Sequence, residues 1–290
     1  MRFGTVLFTS DRGIAPAVAA RAAEQAGFRS FFVPEHTHIP VRRDAAHPLT
    51  GGAELPDDRY LRTLDPWVAL AMAAAVTETI ELATAVALPV EHDPISLAKT
   101  IATLDHLSGG RVTLGVGYGW NTDELTDHGV PPGRRRTMLR EYLEAMRALW
   151  STEEASYDGE FVRFGPSWAW PKTAQQPGVP VLVGAAGNER NFRWISRSAD
   201  GWITTPGEAD VVARVELLHK IWKDTGRTGT PRVVALDMKP EAERLHAWAA
   251  AGVTDVLYGI PDNSEQTLIA YLERLRGKLD KVGPTATSTP

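Results

Sequence analysis

The chain has 290 residues, of which 43% are apolar, and its 31 Lys and Arg against 36 Asp and Glu give a formal net charge of -5 at pH 7. This charge, without a basic stripe carrying interleaved aromatic residues, argues against a nucleic-acid partner, and the absence of cysteine excludes disulfides, thiolate metal sites and a cysteine nucleophile. No apolar run reaches the ~20 residues of a membrane span and no signal peptide precedes the first strand, so we expect a cytoplasmic protein without a membrane partner.

Short apolar segments with the pattern of buried strands recur along the chain, at Arg2–Phe8, Ser30–Pro34, Ile80–Val86, Arg111–Gly117, Val179–Gly184, Gly201–Thr204, Arg232–Leu236 and Thr254–Tyr258. Helical segments separate them, at Ala15–Ala26, Trp67–Val76, Pro94–Leu107, Arg134–Trp150, Asn188–Ser198, Glu208–Lys223, Glu241–Ala251 and Glu265–Leu279. Such alternation is typical of a parallel α/β sheet, and eight strands favour a closed (β/α)8 TIM barrel over an open sheet. We expect residues 1–280 to form this one catalytic domain and residues 281–290 to be a disordered tail.

Two segments without long regular structure interrupt the alternation. Residues 37–66 are too long for a simple connection, and we predict that they form a lid over the strand ends, anchored by Tyr60. Residues 151–178 are predicted to form a second insertion with a small hairpin around Asp158-Gly159. Both insertions are expected at the C-terminal face of the barrel, where the active site of such a fold lies.

The clearest sign of a ligand site is the end of the fourth predicted barrel strand. Gly117 and Gly119 stand on either side of Tyr118 there, and glycine lets the backbone approach a ligand closely. A helix, a buried strand and a glycine-opened strand end are what a parallel α/β enzyme uses to hold a flat cofactor. A plain strand-to-helix turn is the alternative interpretation.

Four segments together resemble the bacterial-luciferase-like monooxygenase superfamily: VPEHTHIP (33–40), ELATAVALP (81–89), TLDHLSGGRVTLGVGYGWNTDELTDHG (103–129) and PVLVGAAGNERNFRWISRSADGW (180–202). The chain looks most like the branch that uses the deazaflavin coenzyme F420, and the resemblance extends over nearly its whole length. It implies an oxidoreductase that transfers a hydride between F420 and a small organic substrate. The alternatives are an FMN-dependent monooxygenase and a flavin- or deazaflavin-binding protein without turnover.

The resemblance also implies roles for the residues at two strand ends. In F420-dependent relatives the histidine that matches His36 lies beside the reactive ring carbon, so His36 is the predicted acid/base or charge-stabilising residue. Glu35 is a predicted cofactor contact that orients the ring of His36 or His38. A non-proline cis peptide is implied at Ala85-Val86, where it would bulge toward the rear face of the cofactor ring.

The other predicted cofactor contacts lie after the fourth and fifth barrel strands. Tyr118 and Gly119, with Asp123, are expected along the edge of the ring. The loop Gly184, Ala185, Ala186 and Gly187 precedes a helix start, where free N–H groups can bind a phosphate, and Arg190 is a charged assistant. A short structural turn is the alternative for this loop.

Two positions depart from the family pattern. Bacterial luciferases place an arginine for the flavin phosphate where this chain has Tyr118, which favours F420 over FMN. Relatives that oxidise glucose 6-phosphate carry a glutamate proton donor where this chain has Trp120, so that activity is not implied. Trp120 is instead expected to line an apolar substrate pocket together with Tyr60, Trp168 or Trp170.

Two further predictions concern metals and partners. No metal site is predicted, although His36, His38, His47 and His92 lie on strand-end loops near Glu35, Glu91 and Asp93, because their spacing is unspecific. A homodimer is predicted through the helices at Trp67–Val76 and Pro94–Leu107, since the first of these is more apolar than one core face requires. Members of the superfamily commonly pair through this side.

Overall fold

The computed structural model describes residues 1–282. Within them the strands are β1 (Arg2–Val6), β2 (Ser30–Val33), β3 (Glu81–Thr84), β4 (Val112–Gly117), β5 (Ala155–Asp158), β6 (Arg163–Ser167), β7 (Val181–Gly184), β8 (Gly201–Ile203), β9 (Arg232–Asp237) and β10 (Asp255–Gly259). The α-helices are α1 (Pro16–Gln25), α2 (Pro66–Ala74), α3 (Pro94–Ser108), α4 (Thr122–Asp127), α5 (Arg135–Ser151), α6 (Glu189–Ser198), α7 (Val211–Asp224), α8 (Ala242–Ala251) and α9 (Glu265–Val282). Two short 3-10 helices lie at Asp58–Arg62 and Pro89–Glu91.

Eight of these strands close into a parallel barrel in the order β1-β10-β9-β8-β7-β4-β3-β2, with β2 paired back to β1. The interior is filled by apolar side chains from six strands: Phe32, Ala83, Leu182, Ile203, Val234 and Leu257. The opposite strand faces pack against the helices in the larger core cluster. The predicted TIM barrel is confirmed, and β2, β3, β4 and β7 are consecutive neighbours, so their carboxyl ends share one part of the rim.

Helix α3 illustrates how local sequence sets the ends of these elements. The carboxylate of Asp93 accepts a hydrogen bond from the Ser96 N–H at 2.8 Å, and Pro94 occupies the first helical turn. Gly109 ends the helix with φ at 71°, a left-handed conformation that disfavours residues with a Cβ atom. The chain then turns directly into β4, as the glycine pair predicts.

The segment 37–66 lies at the carboxyl ends of the strands. The carboxylate of Asp123, in α4 directly after β4, accepts hydrogen bonds from the Asp44 and Ala45 N–H groups at 3.1 and 3.0 Å. The Tyr60 ring packs on Phe8, just after β1, with 4.6 Å between ring centroids. These contacts connect the segment to two separate parts of the rim.

The second insertion has the predicted hairpin, which packs on α5. The hairpin of β5 and β6 packs along the outer side of α5, where the Phe161 N–H donates to Glu141 at 2.8 Å and the Tyr157 hydroxyl donates to Glu144 at 2.6 Å. The insertion begins and ends at the N-terminal end of the barrel, and its hairpin runs back along α5 until Glu160 pairs with Arg134, at the start of that helix, at 2.6 Å. A connection from a helix to the next barrel strand leaves from the N-terminal end of the barrel, because each helix runs back along its strand.

The chain end differs slightly from the expected boundary. Helix α9 continues to Val282, two residues into the predicted tail, and residues 283–290 lie outside the described part of the chain. Among the described residues, no helix combines the length and the apolar character that a bilayer crossing requires.

Candidate functional site

His36 follows β2 at the rim, and a buried carboxylate holds its ring. Its Nδ1 lies 2.8 Å from Oε2 of Glu124, whose side chain has no exposed surface, while the His36 side chain is 7% exposed. The Thr37 N–H donates to the other Glu124 oxygen at 3.0 Å, and the Asn121 amide donates to Oε2 at 3.3 Å. Because Nδ1 is bound to a carboxylate, Nε2 is the ring nitrogen that remains for a ligand.

Three other rings join His36 in what we call the rim cluster (His36, His47, Tyr60 and Trp120). His36 lies 5.5 Å from Tyr60 and 5.6 Å from Trp120 between ring centroids. His47 contacts the same two rings at 5.0 and 4.7 Å. Burial first, and then the charges of His36 and Arg43, lower the pKa of His47, so it is neutral near pH 7.

The rim cluster contains the predicted pair Tyr60 and Trp120 but not the other two tryptophans. Trp168 is 76% exposed and Trp170 is 58% exposed, and the Trp170 ring lies beside Lys172 on the outer insertion. They do not share a pocket with Trp120, because both follow β6, where the chain has returned to the end of α5: Lys172 donates to the Leu149 and Thr152 carbonyl groups there. His47, which the sequence singles out only as a metal candidate, takes their place.

Glu35 supports the neighbouring loop instead of the His36 ring. Its carboxylate accepts the Leu88 N–H at 2.5 Å and pairs with His92 Nε2 at 2.7 Å. Successive side chains of extended backbone point to opposite sides, so Glu35 and His36 diverge. The expectation that Glu35 orients His36 or His38 is wrong; Glu124 orients His36, and His38 pairs with Asp127 at 3.0 Å.

Glu91 is a third buried carboxylate, and it lies close to the carboxylates of Glu35 and Glu124. Its Oε2 lies 3.2 Å from the Thr37 hydroxyl oxygen, and its Oε1 is buried without a partner among the described residues. Burial, followed by the charges of Glu124 and Glu35, raises the pKa of Glu91 to about 9. Glu91 is therefore protonated at neutral pH.

The Val86 side chain forms an apolar surface over the ends of β4 and β7, each of which ends in a glycine. The predicted cis peptide at Ala85-Val86 is present. A Cβ atom on Gly117 or on Gly184 would lie 2.6 Å from a methyl group of Val86. Gly117 therefore makes room for this side chain, whereas the sequence suggested close approach to a ligand.

An arginine side chain stacks on the Tyr118 ring. Bacterial luciferases have an arginine at the position of Tyr118 itself. The guanidinium carbon of Arg136, from α5, lies 4.2 Å from the ring centroid, and Trp194 packs on the ring at 5.4 Å. Burial raises the Tyr118 pKa to about 12, with Arg136 and Arg190 acting in the opposite direction. The Tyr118 hydroxyl oxygen is buried without a partner among residues 1–282. Position 118 has no arginine, but Arg136 supplies positive charge to this part of the rim.

The loop from Gly184 to Gly187 leads into α6, as predicted. The Asn188 side chain caps the helix by accepting the Asn191 N–H at 3.0 Å. The Gly187 N–H already donates to the Glu208 carboxylate at 3.2 Å. The Asn188 N–H donates to the Ala186 carbonyl at 3.0 Å, so a phosphate bound at this loop would have to displace existing partners, Glu208 among them.

These features fit a flat ring that carries a phosphate. Val86 offers an apolar face, the rim cluster offers polarisable rings, and Arg136 and Arg190 offer positive charge. Gly119 adopts φ of 75°, and a Cβ atom there would lie 3.0 Å from Leu125. Asp123 is engaged with the segment 37–66. Among residues 1–282, no group of three or more His, Asp or Glu side chains has the arrangement of a metal site.

A separate cavity of about 360 Å³ lies at the opposite, N-terminal end of the barrel. Its lining includes Arg2, Arg111 and Arg232, and Arg232 forms ion pairs with Glu81 and Asp255 at 2.7 and 3.0 Å. Ion pairing of this kind is typical of the stabilising end of such a barrel.

The model of the luciferase-like monooxygenase family matches residues 1–267, and the chain belongs to this family. The resemblance predicted from sequence is thereby confirmed. An uncharacterized protein of Mycobacterium tuberculosis is 71% identical over 279 residues, which cover 96% of this chain and 99% of that protein. An F420-dependent glucose-6-phosphate dehydrogenase of Nakamurella multipartita is 33% identical over 198 residues, which cover 66% of this chain and 51% of that enzyme.

One solved structure similar to this chain is the coenzyme F420-dependent tetrahydromethanopterin reductase from Methanopyrus kandleri. The two superpose with a TM-score of 0.72, covering 94% of this chain and 97% of that one. At 18% sequence identity the likeness shows the shared fold.

Proposed function

We propose that this protein is an F420-dependent oxidoreductase that transfers a hydride between the coenzyme and a small organic substrate, with His36 as the catalytic residue. The observation that carries the proposal is the His36–Glu124 pair after β2, with Val86 after the neighbouring strand β3. An F420-dependent relative at 33% identity supports the choice of coenzyme.

When bound, F420 supplies the ring carbon that accepts or releases the hydride. The residues of this chain bind the reactants and transfer the proton. The Nε2 atom of His36 takes the proton of a substrate hydroxyl, or returns it in the reverse direction. The buried Glu124 carboxylate stabilises the resulting imidazolium, while Tyr60 and Trp120 exclude water from the rim.

The binding residues that we propose fall into groups according to the part of the cofactor that they contact. Ala85 and Val86 form the surface for the ring, and Tyr118 and Gly119 its edge. Arg136 and Arg190 provide the charge for the phosphate, beside the loop of Gly184, Ala185, Ala186 and Gly187. Glu35 and Asp123 act indirectly, through His92 and the segment 37–66.

An FMN-dependent monooxygenase is the second candidate, because the arginine stacked on Tyr118 would serve a flavin phosphate equally well. Parallel fluorescence titrations of the purified protein with F420 and with FMN separate the two. We expect F420 to bind more tightly by at least about tenfold, which corresponds to ~1.4 kcal/mol. Tighter binding of FMN would overturn the choice of coenzyme.

The role of His36 is tested separately by His36→Ala. We expect its F420 dissociation constant to stay within about tenfold of the parent, while turnover with an identified substrate falls by roughly 10²–10⁴. His246→Ala, an exposed histidine on α8, is the matched control. Parental turnover by His36→Ala would show that His36 is structural.

We also propose that the protein is a homodimer that pairs through α2 and α3. Val68 and Met72 on α2 and Ile95 on α3 are all exposed in the single chain. Three exposed apolar side chains on neighbouring helices are what a second copy of this chain would cover. The substrate class stays open in this proposal, since the rim cluster combines aromatic and imidazole surfaces.

A further inference from the structure

The Thr37 hydroxyl lies behind His36 and is within reach of four titratable groups. It is 2.7 Å from His128 Nε2 and 3.1 Å from His38 Nδ1. It is also 3.2 Å from Glu91 Oε2 and 3.5 Å from Glu124 Oε1. A hydroxyl has one hydrogen and can donate to only one of these groups at a time. The remaining contacts must use protons carried by its neighbours.

The protonation of the neighbours suits this requirement. Glu91 carries a proton at neutral pH, because burial raises its pKa to about 9. Burial, together with the nearby His38, lowers the pKa of His128. In the Nδ1–H tautomer its Nε2 accepts the hydrogen bond of the Thr37 hydroxyl at 2.7 Å. The groups around Thr37 therefore include both a proton donor and a proton acceptor.

The groups around Thr37 extend from the buried His36–Glu124 pair to solvent. Glu124 has no exposed surface, whereas the side chains of His128 and His38 are 27% and 41% exposed. When substrate and coenzyme cover the rim, the Nε2 side of His36 has no water to exchange with. A proton taken from substrate must then leave His36 from its Nδ1 side.

We propose that Glu124, Thr37 and His128 form a proton path that links His36 Nδ1 with solvent behind the cofactor site, an inference that rests on the function proposed above. In the outward direction the Nδ1 proton passes to the Glu124 carboxylate. Glu124 passes it to Thr37 Oγ1 while the hydroxyl hydrogen of Thr37 moves to His128 Nε2. His128 then releases its Nδ1 hydrogen to water. One proton leaves in total, His36 returns from imidazolium to neutral imidazole, and Glu124, Thr37 and His128 keep their charges.

Other titratable groups face this path from the elements packed around it. Glu91 and His92 lie on and after the 3-10 helix Pro89–Glu91, and Glu35 lies between β2 and Thr37. Asp127 and His38 pair with each other on the solvent side. Neutral Glu91 matters most, because an ionised carboxylate 3.2 Å from Thr37 would hold the hydroxyl hydrogen and interrupt the transfer.

The test is the solvent exchange rate of the His36 Nδ1–H, measured by NMR on the full chain labelled with 15N-histidine and without cofactor. Thr37→Val removes the hydroxyl but keeps the backbone N–H that donates to Glu124. His128→Gln removes the outer acceptor. We expect exchange to slow by at least about tenfold in both variants, while the tautomer of His36 stays as in the parent.

Thr126→Val, an exposed threonine on α4, is the matched control and should exchange at the parental rate. Parental exchange in both Thr37→Val and His128→Gln would overturn the proposal, as would a changed His36 tautomer in both, which would make these residues structural. If Thr37→Val does not fold, the partly exposed His128→Gln decides alone. An F420 titration of the parent keeps the two proposals separate, since slowed exchange without F420 binding would reject the function and retain the path.

Discussion

Glu91→Gln should make the protein more stable at neutral and alkaline pH, with a gain that grows as pH rises. The folded chain holds the proton of Glu91 up to about pH 9, whereas the unfolded chain releases it near the ordinary value of 4.5. Between these values the folded state binds the extra proton, so the free energy of unfolding falls with pH by up to about 1.4 kcal/mol per unit. Glutamine resembles the protonated form and has no such dependence.

The magnitude follows from the interval between the two pKa values. From about pH 5 to about pH 8, the parent should lose roughly 2–4 kcal/mol relative to Glu91→Gln. Urea unfolding of both proteins at several pH values measures this difference directly. Glu154→Gln, an exposed glutamate on the outer insertion, controls for the loss of a surface charge. If the parent and Glu91→Gln had parallel profiles, the neutral state of Glu91 and the charge balance around Thr37 would be wrong.

Three further substitutions test other parts of the account. Arg136→Gln should weaken F420 binding by about tenfold or more, because it removes the cation on Tyr118, while Arg140→Gln on the exposed side of the same helix should bind as the parent does; equal affinities would remove Arg136 from the site. Gly187→Leu should also weaken binding, since even its Cβ atom would lie 3.0 Å from both Trp202 and Arg214, and an unchanged titration would place the phosphate elsewhere. Met72→Glu should convert the dimer to a monomer in light scattering, whereas a parent that is already monomeric would rule out the interface.

The barrel was predictable because its signals are local. Strand and helix periods, the Asp93 cap and the Gly109 turn each depend on a few adjacent residues, and their alternation leaves a parallel barrel as the natural solution. The position of the second insertion also follows from topology, since it connects a helix end with a strand start.

The site was only partly predictable, because its essential contacts join distant residues. His36 stands out at a strand end, but its partner Glu124 is 88 positions away and comes close only when β2 and β4 enter the same barrel. The acidic residues after β4 were the available signal. The cation on Tyr118 likewise comes from α5, and no pattern around position 118 indicates it.

A crystal structure of the protein with F420 tests the central claim most directly. We expect the deazaflavin ring on the surface of Val86, with Nε2 of His36 on the substrate side and the phosphate near Arg136. His36 should keep its contact with Glu124 in the complex. A ring bound away from these strand ends, or in the cavity lined by Arg2, Arg111 and Arg232, would contradict it.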